Sequence, residues 1–220
     1  MLAACQALPP PEETAVLPAA ANIGAALPAN ATRYVVDPEA SEIRLLVYRA
    51  GPLARFGHNH VVTGRVRGEI RAGAGAAASG FRLEVPVASF AADPPEARAE
   101  EGEDFAADVS EQARSGTREN MLGKEVLDAA SHPLIRIDSV ALAGPRWSPK
   151  VLARVTLRGA TRELRFPAAV IQQDDLLTAV ANFKIRQSDF GVTPFSALGG
   201  GLQVRDTVEV RIRVVARRAG

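Results

Sequence analysis

From Tyr34 onward, hydrophobic and polar residues alternate along most of the chain. Ile43, Leu45 and Val47 interleave with Glu42, Arg44 and Leu46, and Val62, Val66 and Ile70 share a parity opposed to Arg65, Arg67, Glu69 and Arg71. Phe81, Leu83, Val85 and Val87 oppose Arg82, Glu84 and Pro86, and Ile135 and Ile137 flank Arg136. The pattern recurs in 151–157, 164–168, 179–185 and 202–216. Successive strand side chains point to opposite faces, so each run reads as a strand with one apolar and one charged face. Such alternation belongs to antiparallel sheets with one wet side; strands buried on both faces of a parallel sheet lack it. Turn signals separate the runs at Gly73–Gly80, Gly144-Pro145, Arg158-Gly159, Gln173-Asp174-Asp175 and Gly199-Gly200-Gly201. The predicted fold is all-β: an eight-stranded antiparallel, lipocalin-like barrel, whose interior either packs its own side chains or holds one small ligand.

Residues 91–133 interrupt the alternation. Pro94-Pro95 opens a charged helical stretch through Glu103, with Phe105 and Val109 four apart on one face. A second short helix is expected near Thr117–Leu127, offering Met121, Leu122, Val126 and Leu127. An insertion of this length between barrel strands belongs at one end, as a lid over a ligand or a cap over core.

Residues 1–33 differ. They are rich in Ala and Pro without an apolar face, as in Pro9-Pro10-Pro11 and Leu17-Pro18-Ala19-Ala20-Ala21, which predicts a disordered tether preceding a domain at 34–220. The lone cysteine, Cys5, excludes a disulfide within the chain. Leu2-Ala3-Ala4-Cys5 resembles a bacterial lipobox, in which the cysteine is lipidated. Export signals carry an apolar stretch of about 7–15 residues before that point, so this reading implies a start upstream of the one given. The expected location is the bacterial envelope, periplasmic or membrane-anchored through Cys5.

Composition narrows the function classes. The net charge is +1, with 47% hydrophobic and 23% charged residues, which gives no basic footprint for nucleic acid. No run reaches the roughly 18 apolar residues of a spanning helix. The Gly73–Gly80 segment lacks the Lys-Ser/Thr of a phosphate loop, no nucleophile-elbow string occurs, and Arg186 with Asp189 reads as a local turn pair.

Several strings in order resemble the YceI-like family of lipocalin-type, polyisoprenoid-binding proteins. They are Tyr34-Val35-Val36-Asp37 with Ser41; Val62-Thr63-Gly64-Arg65-Val66 with Gly68-Glu69-Ile70; and Val85-Pro86-Val87-Ala88-Ser89-Phe90. Further along come Arg118-Glu119-Asn120-Met121-Leu122, Val155-Thr156-Leu157-Arg158-Gly159-Ala160-Thr161, Phe183-Lys184-Ile185-Arg186-Gln187-Ser188-Asp189-Phe190-Gly191-Val192 and Val204-Arg205-Asp206-Thr207-Val208. Met121 stands where the family more often has a histidine. The resemblance implies an exported barrel with an apolar channel for long prenyl or quinone-like amphiphiles, a binding protein rather than an enzyme, with no required cofactor. The expected ligand contacts are Phe81, Phe105, Met121, Phe166, Phe183 and Phe190, with His58 and His60 at a polar mouth.

Phe56-Gly57-His58-Asn59-His60 holds two of the three histidines. If the strand through Ile70 starts this early, both share the inward parity of Val62. Three readings follow: imidazoles that hydrogen-bond a ligand headgroup, a divalent-metal site, or a solvated loop. The second makes the chain a metal-binding protein or metal-dependent enzyme. It needs a further ligand, for which His132, Asp128 and Asp189 are candidates.

Overall fold

A computed structural model describes residues 27–220, together with a short strand at Val16–Pro18. Cys5 and most of the Ala/Pro-rich segment lie outside the described residues. Among those described, the strands form one closed antiparallel barrel of eight staves joined in sequence order. We number the staves β1 (Thr32–Val36 and Glu42–Ala50), β2 (His60–Arg65 and Arg67–Ala72) and β3 (Gly80–Pro86 and Ala91–Ala92). They continue as β4 (Leu134–Ala143), β5 (Lys150–Leu157), β6 (Ala160–Gln173), β7 (Leu176–Arg186) and β8 (Leu202–Arg218). The two pieces of β1 pair with successive stretches of the long β8 and close the ring.

The local chemistry explains the staves. Arg158 and Gly159 both have positive φ (50° and 76°), as a two-residue turn between twisted strands requires, and join β5 to β6. The break in β1 is patched by buried Ser41. Its hydroxyl donates to the Val215 carbonyl at 3.2 Å and accepts from the Val215 N–H at 2.9 Å, replacing a lost backbone partner. Gly64 lets the Phe90 ring lie against β2, since a Cβ there would stand 2.7 Å from the ring.

Inward positions build one continuous core that includes Tyr34, Val66, Val85, Leu164, Phe183, Phe190 and Val210. Outside the barrel a second cluster joins Leu46 and Val61, from the outer faces of β1 and β2, to Ala97 and Phe105 of the insertion. Glu101 anchors this layer with ion pairs to Arg44 at 2.8 Å and Arg211 at 2.6 Å.

The helices differ from the sequence expectation. The first, α1 (Pro95–Ala99), stops well before Glu103, because Gly102 turns the chain with φ 77°. Phe105 closes a single turn and shares no helix face with Val109, although both are buried. The second, α2 (Glu111–Leu122), starts six residues earlier than expected, because the Ser110 hydroxyl accepts the Ala113 N–H at 3.3 Å and caps it.

β6 and β7 pair only from Ala168–Ala181 to Gln173–Leu176. Pro167 has no N–H to continue the ladder. Beyond that point the free edge of β6 pairs with Val16–Pro18, Val16 standing opposite Leu164.

Candidate functional site

Two hollows occupy the barrel's interior. At the β4–β5 and β6–β7 turn end lies a cavity of about 540 Å³, lined by inward residues including Ile70, Ala72, Phe81, Val151, Ala168, Val170, Leu177 and Ala179. Trp147, 71% exposed in the β4–β5 turn, stands at its rim. The walls are mostly aliphatic, with Ser79, Arg146 and Gln172 as their polar members. On β6 the inward positions run Val170, Ala168, Phe166 away from the mouth; on β7 they run Leu177, Ala179, Ala181, Phe183. Phe166 and Phe183 stack with centroids 4.3 Å apart and planes 13° apart. The pair lies in the core, further along the inward faces of β6 and β7 than the lining residues Ala168 and Ala179.

At the opposite end a smaller hollow of about 130 Å³ lies between the barrel and α2, lined by Val47, His60, Val62, Asn120, Met121 and Val126 among others. Arg118 fastens α2 in place by donating to the carbonyls of Phe90 at 2.8 Å and Ala88 at 2.9 Å.

Beside this hollow the histidine pair meets a carboxylate. β2 begins at His60, whose inward parity brings it to the wall with Val62, while His58 sits in the preceding loop. Their rings approach edge-on with centroids 4.5 Å apart. Asp93 follows the last pair of the β2–β3 ladder, Val62–Ala92, and continues it. Its N–H donates to the Val61 carbonyl at 2.7 Å and its Oδ1 accepts the Val61 N–H at 3.0 Å. Its φ is 52°, a conformation that Asp adopts more readily than most residues. Fully buried, Asp93 takes the His60 Nδ1 at 2.7 Å on Oδ2 and the Arg98 guanidinium at 2.5 Å on Oδ1. Arg98, also buried, donates on to the carbonyls of Asn59 at 2.7 Å and Ala107 at 2.9 Å. Buried Asn59 donates to the Asp104 carbonyl at 2.9 Å and accepts the Arg49 N–H at 3.0 Å. The insertion thus locks to the His58–His60 segment through buried polar bonds, which low dielectric strengthens when all are satisfied.

Burial pushes the Asp93 carboxyl up, but the His60 bond and charge, the Val61 N–H and Arg98 outweigh it, so its pKa lies below the ordinary carboxylate value. Burial, then the neighbouring His60, pushes the His58 imidazole below its ordinary value. His58 is therefore neutral near pH 7, and its Nε2 at 4.0 Å from Asp93 Oδ2 makes no ion pair. That Nε2 is buried with no hydrogen-bond partner among the described residues.

The YceI-like domain family matches residues 34–216. The chain belongs to the YceI-like family. No curated protein matches it. Among solved structures, BcnA of Burkholderia cenocepacia aligns with TM-score 0.55 and 18% identity over 82% of this chain and 98% of that one. A mutant YceI protein of Campylobacter jejuni aligns with TM-score 0.51 and 14% identity over 70% of this chain and 82% of that one. At these identities the likeness speaks for the barrel alone.

Within this YceI-like barrel the residues expected at a ligand site fall into four places. Phe81 lines the large cavity, and Phe166 with Phe183 stacks in the core beyond it. Met121 and His60 line the small hollow, with His58 beside it. Phe190 is packed into the core. Phe105 lies outside the barrel, against Tyr48, with centroids 5.5 Å apart, because the insertion folds over the outer face of β1 and β2. Of the candidate third ligands, Asp189 pairs with Arg186 at 2.9 Å and His132 packs over Gly159. Asp128 holds a left-handed turn, its backbone carbonyl accepting the His132 N–H at 2.8 Å. None of these joins His58 and His60. Asp93 and Arg98, which do, escaped the sequence reasoning. The available signal was Asp93 immediately before Pro94-Pro95, at the end of the strand that pairs with β2.

Proposed function

We propose that this protein binds an apolar isoprenoid-type or quinone-like chain in the cavity at the Trp147 end, as a carrier in the bacterial envelope rather than an enzyme. The observation that carries this reading is the aliphatic cavity of about 540 Å³ inside a closed barrel. Its size falls in the range of about 300–1,000 Å³ typical of small-molecule sites. A methylene-rich chain gains about 0.8 kcal/mol per buried CH₂ and asks for no directional partners from such a wall. Trp147, an amphipathic ring on the rim, suits transfer from a lipid surface. Membership of the YceI-like family supports the ligand class, and Leu2-Ala3-Ala4-Cys5 supports tethering through Cys5.

The test is native mass spectrometry and solvent extraction of protein purified from a bacterial host, followed by uptake of a long-chain prenol. The wild type is expected to carry lipid or take up prenol. Ala179→Trp, which fills the cavity from its wall, is expected to lose uptake. No uptake by wild type, or equal uptake by both, overturns the reading.

A further inference from the structure

We propose that His58, His60 and Asp93 form a binding site for one divalent transition-metal ion, with zinc the expected occupant. Each residue offers one ligand atom, and the three atoms lie within 4.8 Å of one another. Two imidazole nitrogens and one carboxylate oxygen suit zinc, which takes His nitrogen at about 2.0–2.1 Å and carboxylate oxygen at about 2.0–2.2 Å. Ligand atoms in such a tetrahedron stand about 3.3 Å apart. His60 Nδ1 and Asp93 Oδ2, now at 2.7 Å, must open slightly, and His58 Nε2, at 4.0 Å from Asp93 Oδ2, must close by a similar amount. Both shifts are well under an ångström, and the two histidine nitrogens, within 4.8 Å of each other, close by at most about 1.5 Å.

Two features of the site favour an ion over a plain hydrogen-bond cluster. First, His58 Nε2 is buried beside Asp93 and lacks a partner among the described residues. A buried polar atom left unpaired costs about 1–3 kcal/mol, and a metal would satisfy it. Second, the carboxylate is held from behind. Arg98 and the Val61 N–H grip Oδ1 and leave Oδ2 toward the histidines. Such outer contacts orient ligands in metal sites.

Three protein ligands leave a fourth position for water or a ligand oxygen. His60 also lines the small hollow beneath α2, so the ion would sit at the end of the barrel away from the apolar cavity. This site does not depend on lipid binding.

The experiment uses the full chain without a tag, stripped with chelator and titrated with Co²⁺, followed by visible absorption and competition with Zn²⁺. Its variants are His58→Gln, Asp93→Asn and His132→Gln. Asn keeps the left-handed backbone at position 93 and can still accept the Val61 N–H. The expected result is one Co²⁺ per chain with a tetrahedral spectrum displaced by Zn²⁺. His132→Gln should leave this unchanged, and His58→Gln and Asp93→Asn should each weaken affinity at least about tenfold. Zinc should also raise the melting temperature of wild type and not of His58→Gln. Absence of Co²⁺ binding by the wild type, or full binding by His58→Gln, overturns the proposal.

Discussion

Phe166→Ala removes half of the aromatic stack that stands next to the cavity's lining residue Ala168 on the inward face of β6. Phe166 is 8% exposed and stacked on Phe183 at 4.3 Å, with Ala168 and Val151 beside it at the cavity wall. Truncating a buried Phe costs about 3–5 kcal/mol, and the loss of the aromatic pair contributes about 0.5–1.5 kcal/mol of that. The closed hydrogen-bonded staves on either side restrict collapse, so the upper part of the range is expected. The same substitution deepens the cavity toward the barrel centre. Each additional CH₂ that a ligand buries there is worth about 0.8 kcal/mol, or about fourfold in affinity. The variant should therefore be less stable alone yet shift its preference toward a longer prenyl chain. Urea unfolding measures the first effect, and competition between farnesol and geranylgeraniol measures the second. A destabilisation under about 1 kcal/mol would mean that the stack is not packed as described. A large destabilisation with unchanged chain-length preference would mean that the vacated space does not join the cavity.

Two further outcomes test the fold. Ser41→Ala strands the Val215 N–H at the break in β1, while the Val215 carbonyl keeps the Asp37 N–H at 2.9 Å, and should cost about 1–3 kcal/mol in urea unfolding, with the far-ultraviolet dichroism retained. The Arg33 hydrogen bond at 2.7 Å holds Glu69 below its ordinary carboxylate value. The stability Glu69 contributes is therefore present above pH 4.5 and is lost as pH falls through its lower folded value. Because this pair is at the surface, Glu69→Gln should flatten that acid limb by less than about 1 kcal/mol, and salt should shrink the difference.

The barrel was legible because alternation is a local signal repeated in every stave. Val151, Ala153 and Val155 face inward as their parity requires. The interruptions were less legible. Nothing in the hydrophobic pattern around Ser41 marks the break in β1, since the residue that mends it does so through contacts 174 positions away. The insertion misled for a related reason. Phe105 and Val109 have helical spacing and are both buried, but Gly102 turns the chain and Phe105 meets Leu46 and Val61 on the barrel's outer face. An apolar residue's spacing says that it is covered, not by which surface.

The histidine cluster divides along the same line. Parity brought His60 inward, and its two-residue spacing brought His58 near it, both within reach of local geometry. Asp93 lies 33 residues from His60, and it reaches the ring only because β2 and β3 keep register through Val62–Ala92 and then end. At the next position the Asp93 N–H still donates to the Val61 carbonyl, and the carboxylate, in place of a backbone carbonyl, takes the Val61 N–H. Ending the strand there, before Pro94-Pro95, is what turns the side chain back toward the histidines, and α1 then delivers Arg98 to the other carboxylate oxygen. The chemistry of this end of the barrel is thus a consequence of where a strand stops.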